Sequence, residues 1–340
     1  LYWDQRSTPL SPSQANGNTA DPLLRGATPV IAGARYDLPD LSTPYLPGLP
    51  ACPFCQARAL SDAITVQQIA GEFFQPLKTA SPFFVAGVAS WTTQTPLVPI
   101  EGFGTVGVQQ RQYEWGGDAG VTDGKFVEFR VGTRLGHLWT DPTTTEVVEA
   151  ESVDRGALLA ALRVDSRDNV PFPSKGVALY TKMDWETPAL GSDQSTRRFY
   201  AIGMAAASAG KNVFQFTAAG GSPVKTDLPY YDWFRLGGFR RLSGYSQDEL
   251  LGPYMAFGSV TYLREIGRFA SSIIGGAFYA GLSLEAGNTW TDGADVSLSD
   301  LRYAGSAFLG VDSPLGPVYG SFGLAEGGRR TVSFSIGVPF

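Results

Sequence analysis

Long apolar runs are absent from this 340-residue sequence. No stretch approaches the roughly 18 to 20 consecutive apolar residues that a membrane-spanning helix requires, although 43% of the residues are hydrophobic. Charged residues are also few, at 17%, and a net charge of -6 argues against nucleic acid as a partner. These absences exclude a purely helical membrane protein, and the apolar content excludes disorder throughout the chain.

Cysteine and histidine are scarce as well. The two cysteines, Cys52 and Cys55, stand in a proline-rich stretch as Cys-Pro-Phe-Cys, and His137 is the only histidine. A protein metal site needs about four ligands, which this set does not supply. A small disulfide in an oxidising compartment is therefore favoured over a redox or metal pair, and neither a metal nor a cofactor is predicted.

The sequence also lacks the Gly-x-Ser-x-Gly pentapeptide that presents the nucleophile in many serine hydrolases. A membrane-embedded hydrolase built on a Ser and His pair would have to use His137. Strand alternation places His137 on the same, apolar side as Leu135 and beside Trp139, where an interfacial histidine in an aromatic girdle is the better interpretation. We therefore predict that this chain has no catalytic residue.

Glycine and aromatic residues are abundant, with 41 Gly, 21 Phe and 14 Tyr. Closed β-structures use glycine in tight turns and aromatic side chains in girdles at the membrane surfaces. The last stretch, RRTVSFSIGVPF at 329–340, has an apolar residue at every even position from Val332 to Phe340, with Ser, Gly or Pro between them. Only a β-strand converts this period of two into two faces.

The same separation of faces recurs along the chain. The predicted apolar sets are Val127, Phe129, Val131 and Leu135; Leu158, Ala160, Leu162 and Val164; Val177, Leu179, Met183 and Trp185; Tyr200, Ile202 and Met204; and Ile274, Phe278, Leu282 and Leu284. The opposite faces carry charges of both signs, such as Glu128 and Arg130, as in a polar lumen where they can pair. A soluble sandwich also alternates, but its polar face meets bulk water.

We therefore predict an all-β fold, a transmembrane antiparallel β-barrel of about 16 strands. Sixteen strands would take roughly 21 residues each with their connections, enough for the 9 to 11 residues of a tilted membrane strand. Residues 1–59 are predicted to hold N-terminal strands and a proline-rich loop, and residues 60–340 to form the barrel. The connection 222–253 is too long for a hairpin turn, and a loop of that length in a compact domain is usually functional.

Several stretches resemble one protein family. They are 163–176 (RVDSRDNVPFPSKG), 236–245 (LGGFRRLSGY), 283–288 (SLEAGN) and the terminal Phe340. The sequence is similar here to the bacterial surface antigen superfamily of outer-membrane assembly and translocation barrels. Within it the chain most resembles the C-terminal barrels of patatin-like phospholipase autotransporters, which 71–77 (GEFFQPL) also resembles. The resemblance covers about residues 60–340.

The resemblance implies that the loop 222–253 folds back into the lumen, where an arginine of its tip contacts an acidic residue of the inner wall. The motif residues of this loop are Gly237, Gly238, Arg240, Arg241, Leu242, Ser243, Gly244 and Tyr245, and the wall residues are Glu285 and Gly287. Ser243 stands where the family has arginine, and a serine cannot form a bidentate guanidinium pair. Either Arg240 or Arg241 reaches Glu285, or neutral hydrogen bonds hold the loop. We predict the arginine pair, with Arg240 or Arg241 on Glu285.

The implied function is a translocator or anchor in the bacterial outer membrane for an N-terminal passenger, such as a patatin-like lipase upstream of Leu1. A general assembly barrel with periplasmic repeat domains and a passive pore are the alternatives. The expected partners are outer-membrane lipid, the passenger or client polypeptide, and the assembly machinery, for which Phe340 would be the signal. No nucleic acid partner is expected.

Overall fold

The computed structural model describes residues 28–29, 33–35, 67–77, 81–100, 104–142, 150–269, 276–313 and 316–336. The predictions for Cys52, Cys55, Ile274 and Phe340 therefore lie outside the described residues. Within this part of the chain no helix has the length and apolar character needed to cross a membrane.

Eighteen β-strands make up the described fold. They are β1 (Thr28–Pro29), β2 (Gly33–Arg35), β3 (Gln67–Pro76), β4 (Phe83–Gln94), β5 (Leu97–Ile100), β6 (Gly104–Thr122), β7 (Val127–Pro142), β8 (Glu151–Asp165), β9 (Gly176–Glu186), β10 (Arg197–Ala209), β11 (Asn212–Pro223), β12 (Phe234–Leu236), β13 (Leu250–Gly252), β14 (Tyr254–Phe269), β15 (Gly276–Trp290), β16 (Arg302–Ser313), β17 (Gly316–Ala325) and β18 (Arg329–Ile336). Sixteen of them form one sheet, and β12 pairs with β13 in a separate hairpin. The all-β prediction is confirmed.

The large sheet is an antiparallel meander. Its order is β1-β3-β4-β6-β7-β8-β9-β10-β11-β14-β15-β16-β17-β18, with β2 paired to β3 and β5 paired to β6. The only long excursion between described neighbours of this path is residues 224–253, between β11 and β14. We call this segment the lumen loop.

One face of the sheet is apolar, and many of its side chains are exposed in the part of the chain that the structure describes. Val127, Phe129 and Val131 of β7 are each more than 40% exposed, and Leu284 of β15 and Val332 of β18 are 75% and 80% exposed. Apolar side chains in continuous rows of this extent are stable only against an apolar surround. The predicted outward face is therefore the face that meets lipid.

The opposite face carries charges that pair, as the mixed signs predicted. On β7 the guanidinium of Arg130 lies 2.9 Å from Glu72 of β3 and 3.1 Å from Asp118 of β6, and it also contacts Glu128. Arg134 binds the same Asp118 at 2.5 Å. Charges buried from water are tolerated when they are paired and hydrogen-bonded, so this face lines an enclosed space.

The lumen loop shows that the sheet curls into a barrel wall. Arg235 of this loop donates hydrogen bonds to Gln94 on β4 and to Gln110 on β6, each at 3.0 Å. Ser243 of the same loop donates to Glu285 on β15. Arg235 and Ser243 of one loop can reach both early and late strands only if the sheet wraps around that loop, so the loop occupies the lumen.

The predicted orientation of β10 was wrong. Tyr200 is 6% exposed and packs with residues of the lumen loop, and Ile202 packs against the same cluster. The outward residue is instead Phe199, at 39% exposure. The error has a physical cause: the lumen loop presents apolar side chains to this strand, so the wall is apolar on its inner side here as well.

Candidate functional site: a loop latched to the inner wall

The lumen loop packs its apolar side chains against the inner wall. The shared cluster contains Leu228, Phe234, Leu236, Leu242 and Tyr245 from the loop, and Leu159, Ala161, Tyr180, Tyr200, Met255 and Phe257 from the wall. Fully burying one large apolar side chain stabilises a structure by about 1.5–3 kcal/mol relative to leaving it in water. Several such side chains on one loop strongly favour its position inside the barrel.

The tip of this loop is a compact series of turns. Five of its residues have φ between 61° and 128°, namely Gly237, Gly238, Arg240, Leu242 and Gly244. A non-glycine residue in this region costs of order 1–3 kcal/mol, so the surrounding contacts must hold Arg240 and Leu242 in place. A Cβ atom at Gly244 would lie 2.5 Å from the backbone nitrogen of Ala325, so only glycine fits against β17.

Glu285 on β15 is the anchor of the tip. Its carboxylate accepts hydrogen bonds from the backbone N–H of Ser243 at 2.6 Å and from the Ser243 hydroxyl at 2.8 Å. Ser283 donates to the same carboxylate and lies 2.7 Å from the hydroxyl of Ser306. Glu285 is buried on the lumen side, where its alternation had placed it. We call the contact of Ser243 with Glu285 the latch.

The predicted arginine pair with Glu285 stays a prediction: Arg240 interacts electrostatically with Glu285, and the described hydrogen bonds to this carboxylate come from Ser243 and Ser283. Arg240 donates to the side-chain oxygen of Gln215 at 2.7 Å, and Arg241 donates to the carbonyl of Arg235 at 2.6 Å. The short Ser243 side chain brings the loop backbone against the wall, so that its own N–H reaches the carboxylate. Hydrogen bonds from a hydroxyl and a backbone amide therefore hold the tip, as the second sequence alternative stated.

Gly287 and Thr331 complete the contacts of the wall with the loop tip. A Cβ atom at Gly287 would lie 2.8 Å from the carbonyl oxygen of Ala256 and 3.0 Å from the Leu236 side chain, so Gly287 leaves room for the loop. The N–H of Gly244 donates to the hydroxyl of Thr331 on β18 at 3.1 Å. The loop thus contacts the last described strand as well as β15.

A second anchor, on the other side of the lumen, was not found from the sequence. The fully buried Arg235 bridges Gln94 and Gln110, whose side chains also bond each other at 2.7 Å. Both glutamines lie on the lumen side of their strands, which alternation could have shown. Their pairing with a residue more than a hundred positions away depends on how the sheet curls around the loop, which alternation does not show.

A family comparison decides what this barrel is. The model described as the Omp85 superfamily domain matches residues 105–340, more than half of the chain. The chain belongs to the Omp85 superfamily. The predicted superfamily of outer-membrane barrels and the bacterial outer-membrane location are thereby confirmed.

Solved structures show the same Omp85 fold. BamA from Haemophilus ducreyi lacking POTRA domains 1-3 matches with a TM-score of 0.63 and 12% identity, over 80% of this chain and 62% of that one. CdiB from Escherichia coli matches at 0.57 and 14%, over 81% and 53%, and CdiB from Acinetobacter baumannii at 0.52 and 11%, over 80% and 50%. The chain thus spans between half and about three fifths of these proteins. No curated protein matches it.

At the opposite rim of this Omp85 barrel, the connection between β8 and β9 also enters the lumen. Phe172 of this segment, residues 166–175, stacks on Tyr279 with ring centroids 4.3 Å apart and contacts Tyr319 at 5.1 Å. The hydroxyl of Tyr319 donates to the carbonyl of Pro171 at 3.1 Å. We call this segment the rim plug.

The rim plug is fixed by its own turn. Asp168 accepts hydrogen bonds from the N–H groups of Ser174 at 2.8 Å and Lys175 at 3.1 Å, and from the Ser174 hydroxyl. Burial alone would raise the pKa of Asp168, but these hydrogen bonds outweigh it and hold the pKa below its ordinary value. The charged form of this carboxylate therefore stabilises the turn at neutral pH.

One side chain joins the lumen loop and the rim plug of the Omp85 barrel. Gln215 on β11, fully buried, donates its amide N–H to the carbonyl of Pro173 at 2.9 Å while its oxygen accepts from Arg240 at 2.7 Å. Phe239 of the lumen loop also packs on Tyr319, with ring centroids 5.6 Å apart. Two segments that enter from opposite rims therefore occupy the lumen and meet at Gln215 on the wall.

His137 lies on the outer wall, as its alternation predicted. Its ring is 4.4 Å from that of Trp139 and 6.3 Å from that of Tyr113. The structure adds two partners that the sequence did not indicate: Nδ1 is 2.5 Å from Asp154, and Nε2 is 2.9 Å from the hydroxyl of Ser152.

Proposed function

We propose that this chain is the outer-membrane translocator and anchor of a polypeptide passenger attached upstream of Leu1. The observation that carries the proposal is the latch: the tip of the long loop is held on the inner wall of the barrel by hydrogen bonds, and every described contact of the loop is noncovalent. Such bonds contribute about 1.5–3 kcal/mol each when one partner is charged. A loop held in this way can be released and restored without breaking a covalent bond.

The site residues take roles in this proposal. Gly244 and Gly287 allow the tip to approach the wall, Ser243 and Glu285 form the latch, and Arg235 holds the loop on the opposite wall. Movement of these groups regulates passage through or alongside the barrel, and no step of it requires a catalytic residue. Following the resemblance to patatin-like phospholipase autotransporters, we infer that the passenger is a lipase of that class.

A passive pore is disfavoured by the filled lumen, because two segments already occupy the space that solutes would cross. A general assembly barrel remains the alternative proposal, in keeping with the fold shared with BamA. It would act on other outer-membrane proteins rather than on a passenger fused to it.

A display experiment tests the translocator proposal. An epitope segment fused ahead of Leu1 should become accessible to external protease on intact cells. Glu285→Ala should reduce the accessible fraction, because the tip no longer holds one position. Glu265→Ala is the matched control, since this glutamate contacts Arg268 at the far rim and not the loop.

Two outcomes separate the alternatives. If the barrel folds and the epitope stays protected, the translocator proposal is wrong. If depletion of the chain lowers the amounts of many other folded outer-membrane barrels, the assembly alternative is supported instead.

A further inference from the structure

We propose that Ser152, His137 and Asp154 form a catalytic site on the outer wall, a serine hydrolase centre for ester-linked acyl chains of membrane lipids. This goes beyond the translocator proposal and departs from the expectation that the chain has no catalytic residue. The three side chains lie outside the lumen and take no part in the latch.

The geometry is that of a nucleophile, a base and an orienting acid. The Ser152 hydroxyl is 2.9 Å from His137 Nε2, and Asp154 is 2.5 Å from His137 Nδ1. A carboxylate can only accept, so Asp154 favours the tautomer that carries its proton on Nδ1. That tautomer leaves Nε2 free to accept the proton of Ser152, which is the arrangement that activates a serine.

The sheet register explains why these residues meet. His137 on β7 stands directly opposite Asp154 on β8, and Ser152 is the next residue of β8 on the same face. The N–H of Asp154 donates to the side chain of Asp193 at 2.7 Å, and the carbonyl of Asp154 accepts from the N–H of Asp193 at 3.0 Å. Both backbone groups of Asp154 therefore point away from β7. Opposed residues that do not exchange backbone hydrogen bonds have the shorter Cα separation, so their side chains meet.

The connection between β9 and β10 holds the backbone of Asp154 in place. Besides the two bonds of Asp193, the hydroxyl of Ser192 donates to the carbonyl of Asp154 at 3.4 Å. By the alternation of β8, the N–H of Ser152 points to the same side as that of Asp154. We assign this N–H to the oxyanion that develops when the serine attacks a carbonyl.

The height of the site on the barrel fits the ester region of a bilayer. His137 lies ten residues beyond Val127, the first residue of β7. At about 3.4 Å per residue and a tilt of roughly 40°, this is about 26 Å along the membrane normal, close to the height of the apolar band. Tyr113 and Trp139 beside the imidazole mark the interface, and the exposed Leu158 on the same face of β8 continues the apolar wall below.

The reaction is acyl transfer in two balanced steps. Ser152 Oγ attacks the ester carbonyl carbon while His137 Nε2 takes the hydroxyl proton, and the carbon–oxygen bond to the alcohol then breaks as Nε2 returns the proton to the leaving alcohol. Water attacks the acyl-serine with the same proton transfers, releasing the fatty acid and restoring Ser152. Asp154 stabilises the imidazolium formed in each step.

The test uses the purified, folded chain in vesicles of phosphatidylethanolamine and phosphatidylglycerol. We expect release of free fatty acid and covalent labelling of Ser152 by a fluorophosphonate probe, located by peptide mass analysis. Ser152→Ala should abolish both signals, and Asp154→Asn should lower fatty-acid release by up to about 10⁴-fold, as the corresponding change does in the serine-protease triad.

Thr133→Ala is the matched control, because Thr133 lies on the outward face of β7 opposite Gly117 and Leu158, away from the three residues. It should release fatty acid at the wild-type rate. Retention of the folded, heat-modifiable form shows that each variant is intact. A folded wild-type chain without release or labelling would overturn the proposal, and so would release that Ser152→Ala leaves unchanged.

Discussion

Glu285→Ala is the change that tests the latch most directly. The substitution removes the acceptor of two hydrogen bonds from Ser243, at 2.6 and 2.8 Å. Bonds to a charged group contribute about 1.5–3 kcal/mol each, so the two together amount to at least about 3 kcal/mol. Since 1.4 kcal/mol is a factor of ten, the ratio of released to latched loop should rise about 100-fold.

Single-channel recording in planar bilayers measures this ratio, because a released loop opens a conducting path. We expect the frequency of openings to rise strongly for Glu285→Ala and to stay at the wild-type level for Glu265→Ala. Ser243→Ala removes the hydroxyl bond to Glu285 and the bond that this hydroxyl accepts from the Arg240 N–H at 2.9 Å, but it keeps the backbone bond to Glu285, so it should give a smaller increase. The effects of Ser243→Ala and Glu285→Ala on the opening frequency should multiply to less than their full product in the double variant, because both changes break the hydroxyl bond of the latch.

Arg235→Ala provides the contrast. It breaks the anchor to Gln94 and Gln110 on the other wall, so its effect should multiply with that of Glu285→Ala. A folded Glu285→Ala barrel with unchanged conductance would refute the latch, and so would a Ser243→Ala effect that adds fully to that of Glu285→Ala.

Four further changes have definite expected outcomes. Gly244→Ala should make the tip sensitive to protease in the folded barrel, because its Cβ would meet the Ala325 backbone at 2.5 Å; protection equal to wild type would contradict this. Leu179→Arg on the lipid face should lower the free energy of unfolding in a bilayer by about 2–4 kcal/mol if Leu179 lies near the midplane. Tyr200→Cys should resist a lipid-soluble label, because Tyr200 is buried on the lumen side. Deleting Phe340 should lower the yield of assembled barrel in cells far more than deleting an exposed loop residue, and an unchanged yield would count against a role in assembly.

The outward rows of most strands could be predicted from the sequence because lipid imposes one uniform requirement on that face. Val127 and Phe129 were placed correctly for this reason. The same reasoning failed at Tyr200 and Ile202, where the lumen loop supplies an apolar partner on the inner side. Alternation reports how polar a face is, and it does not report whether lipid or protein makes it so.

The site was predictable in position but not in its contacts. Alternation put Glu285 on the inner wall, and the motif put Ser243 at the tip. The choice of an arginine partner followed from the family resemblance, whereas the hydrogen bond of the Ser243 backbone N–H to Glu285 depends on the left-handed turns of the tip, which the sequence does not show. The partners of His137 depend on the register of β7 and β8, which no single-strand pattern contains.

Gln215 couples the rim plug to the lumen loop. Its amide holds the rim plug through Pro173 and the lumen loop through Arg240, so each segment is bound more firmly while the other is in place. By thermodynamic linkage the coupling is reciprocal. Loss of the Pro173 contact weakens the Arg240 contact by the same free energy as loss of the Arg240 contact weakens the Pro173 contact. Loss of the contact at one rim can therefore weaken the contact of the segment from the opposite rim through a single buried amide.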